Sequence, residues 1–164
     1  MRTTNVLKLV TAIMLALGFT SVQAASLPQP FSVSTSVTST CTFAAVSNLA
    51  FGAYTSNQPL PADASTPVTA NCSSGTAYSI GMSPGLYWGS AWAGWRALGS
   101  NANRLAYSLK VNAQNGAEWG DGAQSYSAVG TGADQAVLLV GRIPASQPAA
   151  AGSYTDSVVA TLTY

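Results

Sequence analysis

No histidine occurs anywhere in the 164 residues, and charged side chains make up only 7% of them. Without histidine the chain lacks the commonest general base near neutral pH and the commonest metal ligand, so most hydrolytic and zinc-dependent mechanisms have no residue to run on. No enzymatic activity, cofactor or metal is expected. The six basic and five acidic side chains form no cluster, which removes the electrostatic footprint of nucleic-acid or anionic-membrane binding. An ordinary soluble domain carries about 25% charge, so solubility here must rest on Ser, Thr, Asn, Gln and backbone. The length suits one domain.

Long apolar runs are equally scarce. The run Leu9 to Phe19 is too short to span a bilayer. With Arg2 and Lys8 before it and Val22-Gln23-Ala24 after it, it reads as the core of a secretory signal peptide over residues 1–24. Cleavage after Ala24 leaves four basic and five acidic side chains and no second apolar run long enough for a membrane anchor. The chain is expected to be exported and not inserted in a membrane. Cysteine is limited to Cys41 and Cys72. In an oxidising compartment the two are expected to pair, stabilising the fold by about 3–4 kcal/mol through loop closure; the alternative is two buried thiols.

What the sequence has in quantity is period-2 alternation broken by turn residues, with no sustained helical repeat. Strands are expected over Phe31 to Thr38, Cys41 to Val46, Leu49 to Tyr54, Thr66 to Cys72, Ala77 to Met82, Arg104 to Val111, Ser125 to Val129, Val137 to Ile143 and Ser153 to Tyr164. Short strands at this spacing, separated by Gly- and Pro-rich turns, predict an all-β sandwich. In the last strand Tyr154, Val158, Ala160, Leu162 and Tyr164 share one face, expected to be buried, and its terminal carboxylate could be gripped by a partner. At the other end, a spacer stiffened by Pro28 and Pro30 leads into a strand whose Phe31, Val33, Thr35 and Val37 line one face. That strand either edges its own sandwich or pairs with the sheet of another molecule.

Several segments together resemble the spore coat protein U domain, the pilin subunit family of archaic chaperone-usher pili. They are Cys41-Thr42-Phe43, Leu49-Ala50-Phe51-Gly52-Ala53-Tyr54, Val68 to Cys72, Asn103 to Leu109, Trp119-Gly120, Gly141-Arg142-Ile143-Pro144, Gln147, and Ala151-Gly152-Ser153-Tyr154-Thr155-Asp156 running to Tyr164. The resemblance implies an incomplete immunoglobulin-like β-sandwich, one strand short, with residues 25–39 as spacer and donor strand and 40–164 as the pilin domain. It implies that a periplasmic chaperone fills the gap and that the donor strand of the next subunit replaces it at the outer-membrane usher. Phe31, Val33, Thr35 and Val37 would then belong to the donor, and Tyr154, Val158, Ala160, Leu162 and Tyr164 to the strand facing chaperone or donor. The implied product is a homopolymeric surface fibre supporting adhesion and biofilm. Three stretches depart from the family pattern: the Trp- and Gly-rich Ser83 to Gly99, Lys110 where an aromatic is common, and the Ala-rich segment after Pro144.

Other constellations carry less. Gly81-Met82-Ser83-Pro84-Gly85 spells a nucleophile elbow but lacks a following helix and any histidine. Glu118 and Asp121 read as loop charges rather than a glycosidase pair, and Gly120-Asp121-Gly122 has too few oxygen ligands for calcium. Arg96, Arg104 and Arg142 read as solvated or paired structural cations. Tyr87, Trp88, Trp92 and Trp95 form a possible surface aromatic patch, so a self-contained carbohydrate-binding sandwich using Trp88, Trp92 and Trp95 is the rival function, with a non-fibrous coat protein as another.

Overall fold

The computed structural model describes residues 23–164, so the predicted signal peptide, apart from Gln23 and Ala24, lies outside the described residues. Among the described residues eight strands follow one another: β1 (Cys41–Val46), β2 (Ala62–Cys72), β3 (Ala77–Met82), β4 (Arg96–Ser100), β5 (Asn103–Val111), β6 (Tyr126–Val129), β7 (Asp134–Ile143) and β8 (Ala160–Thr163), with one 3-10 turn at Gly122–Gln124. They form a five-stranded sheet in the order β1-β2-β7-β5-β4 and a three-stranded sheet in the order β6-β3-β8. The expected all-β architecture is therefore realised.

Alternation builds the core. Thr66, Val68, Ala70 and Cys72 of β2, Tyr78, Ile80 and Met82 of β3, and Leu105, Tyr107 and Leu109 of β5 are all buried, each set spaced by two so that it shares one face of its strand. The long ladder between β2 and β7, from Ala62 opposite Ile143 to Asn71 opposite Asp134, forms the backbone of the larger sheet. Trp119, fully buried, is the largest core side chain, and its indole N–H donates to the Ile80 carbonyl at 2.7 Å. Cys41 and Cys72 lie directly opposite each other in the β1–β2 pairing and are joined by a disulfide, as expected.

Beyond longer starts to β2 and β7, four segments depart from the reading of the sequence. Residues 31–38 carry no strand, and Phe31, Val33 and Val37 are 85%, 85% and 91% exposed. Alternation only makes a strand possible, and without a partner for its N–H and C=O groups the ladder does not form. Leu49 to Tyr54 is likewise irregular, although Leu49, Phe51 and Tyr54 do turn inward and are half-buried. The last strand shrinks to Ala160–Thr163, because Thr155 pairs with Gly99 of β4 before the chain crosses to β3. Tyr164, assigned to the buried face, is 61% exposed, since it lies one residue beyond the last rung, Thr163 opposite Ser79. Finally, β4 lies in the Trp- and Gly-rich stretch with no predicted strand.

Candidate functional site

One side of the sandwich is open. Two clefts of about 390 and 780 Å³ run into each other there, sharing Leu49, Phe51, Leu98 and Asp156 in their walls. The smaller is lined at depth by the buried Met82, Tyr107, Leu109 and Leu139, and the larger by Leu105 and Ile143. These are core residues of both sheets, so the groove is a gap in the hydrophobic interior rather than a surface dent.

Each of its two rims carries backbone N–H and C=O groups that lack a ladder partner on at least one flank. Along the first rim, residues 47–54 make no backbone-to-backbone hydrogen bond among the described residues. Along the second runs the segment ending in β8. Val159 accepts from Ser83 N–H at 2.9 Å and donates to Ser83 Oγ at 2.9 Å. Because backbone direction alternates along a strand, the N–H and C=O of Val158, Ala160 and Leu162 point away from β3, to the side where β8 has no neighbour in its sheet. The predicted lining side chains Tyr154, Val158, Ala160 and Leu162 are only half-buried, which is what a strand with one open flank should show.

Asp156, which the alternation had not singled out, sits where the clefts meet. Its carboxylate accepts Tyr107 O–H at 2.7 Å, Leu86 N–H at 2.8 Å and Ser157 N–H at 2.8 Å. It also packs on Gly85, where a β-carbon would stand 2.2 Å from Oδ2 and φ is +85°, so only glycine fits. Burial, with the hydrogen bond to Asp156 second, holds the Tyr107 phenol well above its ordinary value. The folded state therefore keeps this phenol neutral while the unfolded chain ionises it first. Its contribution to stability is present below about pH 10, the ordinary tyrosine value, and is lost as pH rises further. Melting temperature should fall above about pH 10, and Tyr107→Phe should make that fall shallower; an unchanged slope would refute the assignment.

The family-like motifs acquire physical roles around the groove. Phe51 and Leu49 press on Gly141, where a β-carbon would lie 2.5 Å from Leu49 and 2.7 Å from the Phe51 ring. The Phe51 ring meets Tyr107 edge-on at 5.9 Å. Tyr54 O–H donates to the Pro144 carbonyl at 3.1 Å and accepts Gln147 N–H at 3.0 Å. The buried Gln147 amide accepts from Ala106 N–H and donates to the Ala106 carbonyl, both at 2.8 Å, standing in for a strand on β5. The first rim is thus held by side chains in place of a ladder.

The other predicted residues are dispersed. Trp88 and Trp92 are 49% and 41% exposed, whereas Tyr87 and Trp95 are half-buried. Trp92 and Trp95 stand nearly perpendicular, at 87°, and Arg104 covers Tyr87 at 4.2 Å. The four share a loop but not a flat platform. Arg96 is not solvated: it is 3% exposed, donates to the carbonyls of Met82, Ser83 and Trp119, and pairs with Glu118 at 3.6 Å. Burial pulls its guanidinium below the ordinary arginine value. Glu118 also binds Lys110 at 2.6 Å, and Arg142 binds Asp63 at 2.7 Å, so these charges are structural. Ser83, the supposed elbow nucleophile, is spent on Val159.

A search of curated sequences returns no match. Among solved structures, a chain of the crystal structure of the CsuC-CsuE chaperone-tip adhesion subunit pre-assembly complex, from archaic chaperone-usher Csu pili of Acinetobacter baumannii, matches with a TM-score of 0.58 and 23% identity. The match covers 78% of this chain but 40% of that one, and at this identity it speaks for the fold. The family model described as Spore Coat Protein U domain matches residues 27–161. With an open two-sheet sandwich and a family match over nearly all of its described length, the chain belongs to the Spore Coat Protein U domain family.

Proposed function

We propose that this chain is a non-enzymatic structural subunit of a chaperone-usher pilus, assembled by donor-strand exchange. The observation that carries the reading is the groove itself, two joined clefts lined at depth by core residues of both sheets and bounded by residues 47–54, which have no ladder, and by β8, which has an open flank. Such a groove is prone to aggregation until a strand fills it, and an added strand would satisfy both rims at once. A candidate donor lies in the same sequence, in the exposed alternating residues Phe31, Val33, Thr35 and Val37. Burying Phe31, Val33 and Val37 of one copy in the groove of the next would contribute about 5–9 kcal/mol before ordering costs. In this reading a periplasmic chaperone occupies the groove first and an outer-membrane usher exchanges it for the donor of the next copy. The fibre reaches the cell surface, where it supports adhesion and biofilm.

The test is a chain lacking residues 26–38. Refolded wild type should form ladders of multimers that resist detergent without boiling and are visible as fibres by electron microscopy. The truncated chain should form none, yet a peptide spanning 26–39 added to it should bind one to one. Wild type that stays monomeric, with the truncation changing nothing, would overturn the proposal. Multimers without fibres would favour a coat protein instead.

A further inference from the structure

Hydrophobic burial alone leaves donor-strand pairing ambiguous. The donor segment reads Ser32-Val33-Ser34-Thr35-Ser36-Val37-Thr38, so a slip of two residues keeps the same face inward and still brings valines to the groove. Something must select one register. The inward face of the donor reads apolar, apolar, polar, apolar from Phe31 through Val33 and Thr35 to Val37. The groove matches this at depth: two clefts floored by apolar side chains, Met82, Leu109 and Leu139 in one and Leu105 and Ile143 in the other, meet at Asp156, which lines both.

Resting on the donor-strand reading above, we propose that Thr35 of one copy docks against the Asp156–Tyr107 pair of the next and thereby sets the register of polymerisation. Three hydrogen bonds to the Asp156 carboxylate come from Tyr107 O–H, Leu86 N–H and Ser157 N–H, and only the first falls on Oδ2. A carboxylate offers about four acceptor sites, so Oδ2 has room for one more donor. The Tyr107 oxygen, donating its proton to Asp156, keeps lone pairs to accept with. A threonine hydroxyl between them is satisfied, while apolar plugs on either side fill the two clefts. A slip of two residues puts a valine against the carboxylate and the hydroxyl into an apolar cleft. One such mispaired buried group should disfavour the slipped register by roughly tenfold to a hundredfold, much as a single buried polar residue selects register in coiled coils.

The experiment reads register directly. In full-length chains, Ser157→Cys is combined with one of Ser32→Cys, Ser34→Cys, Ser36→Cys or Thr38→Cys, all on outward faces, and intermolecular disulfides are trapped in the ladders. Wild-type Thr35 should crosslink Ser157→Cys through position 34 or 36 and not through 32 or 38. Thr35→Val should spread the product to the positions two residues on either side of the wild-type one while ladders still form, and Thr35→Ser should restore the single register. Position 35 lies on an exposed segment outside any strand, so these variants test docking without threatening the fold. An unchanged crosslink pattern in Thr35→Val, or wild-type crosslinks through 32 or 38, overturns the register role alone. Absence of any ladder in wild type sinks the donor-strand reading and this inference with it.

Discussion

Trp119→Ala is expected to lower stability by about 3–5 kcal/mol, the range for removing a large buried aromatic. Small domains have only about 5–15 kcal/mol in total, so much of the variant population should be unfolded under mild denaturant. Two effects add. The indole is fully buried, so its loss leaves a cavity among Ile80, Tyr126 and their neighbours. Its N–H also satisfies the Ile80 carbonyl, which would be left unpaired. Trp119→Phe separates the two, keeping most of the volume while losing the donor, and should fall between alanine and wild type. Trp88→Ala, at a site 49% exposed, should stay within about 0.5 kcal/mol of wild type. Urea unfolding followed by circular dichroism measures all three, and equal midpoints for the Trp119 and Trp88 variants would contradict the core assignment.

Removing the disulfide, as Cys41→Ser with Cys72→Ser, should cost about 3–4 kcal/mol by loop closure over the 31-residue separation. The damage should also be local. Strand β1 pairs with β2 alone, and the chain runs from β1 directly into residues 47–54, the first rim of the groove. With the crosslink gone, β1 should fray first, exposing its amides to hydrogen exchange while β2, β5 and β7 remain protected. A groove with a loose rim should bind the peptide spanning residues 26–39 more weakly than the oxidised chain does. Reduction of wild type with dithiothreitol offers the same test without mutation. Reduced and oxidised protein with equal unfolding midpoints would show that β1 is held by its ladder instead.

How much was legible beforehand varied with how local the cause was. The ladders of β3 and β5 were readable from their alternation, and β7 from its short apolar run Ala136 to Val140. The strand β4 was not, because Arg96-Ala97-Leu98-Gly99-Ser100 shows no alternation: Arg96 points inward and makes its bonds to carbonyls of Met82, Ser83 and Trp119, all distant in sequence. A local clue existed in Asn101, whose φ of +50° turns the chain between β4 and β5. Asp156 stood in a motif that carried the resemblance, yet nothing nearby in the chain marked it as the junction of the clefts. Its partners Tyr107 and Leu86 are 49 and 70 residues away.

Composition and periodicity by themselves determined that the chain is all-β, that its two cysteines can pair, and that alternating apolar residues line both its leading segment, Phe31 to Val37, and its last strand. They could not decide which alternating segments would become strands. Phe31 to Thr38 and Leu49 to Tyr54 alternate as well as β3 does, yet only β3 is flanked on both sides, by β6 and β8. Side-chain alternation is written locally, whereas a ladder needs a second backbone supplied from elsewhere, and only the folded arrangement reveals where that backbone is missing.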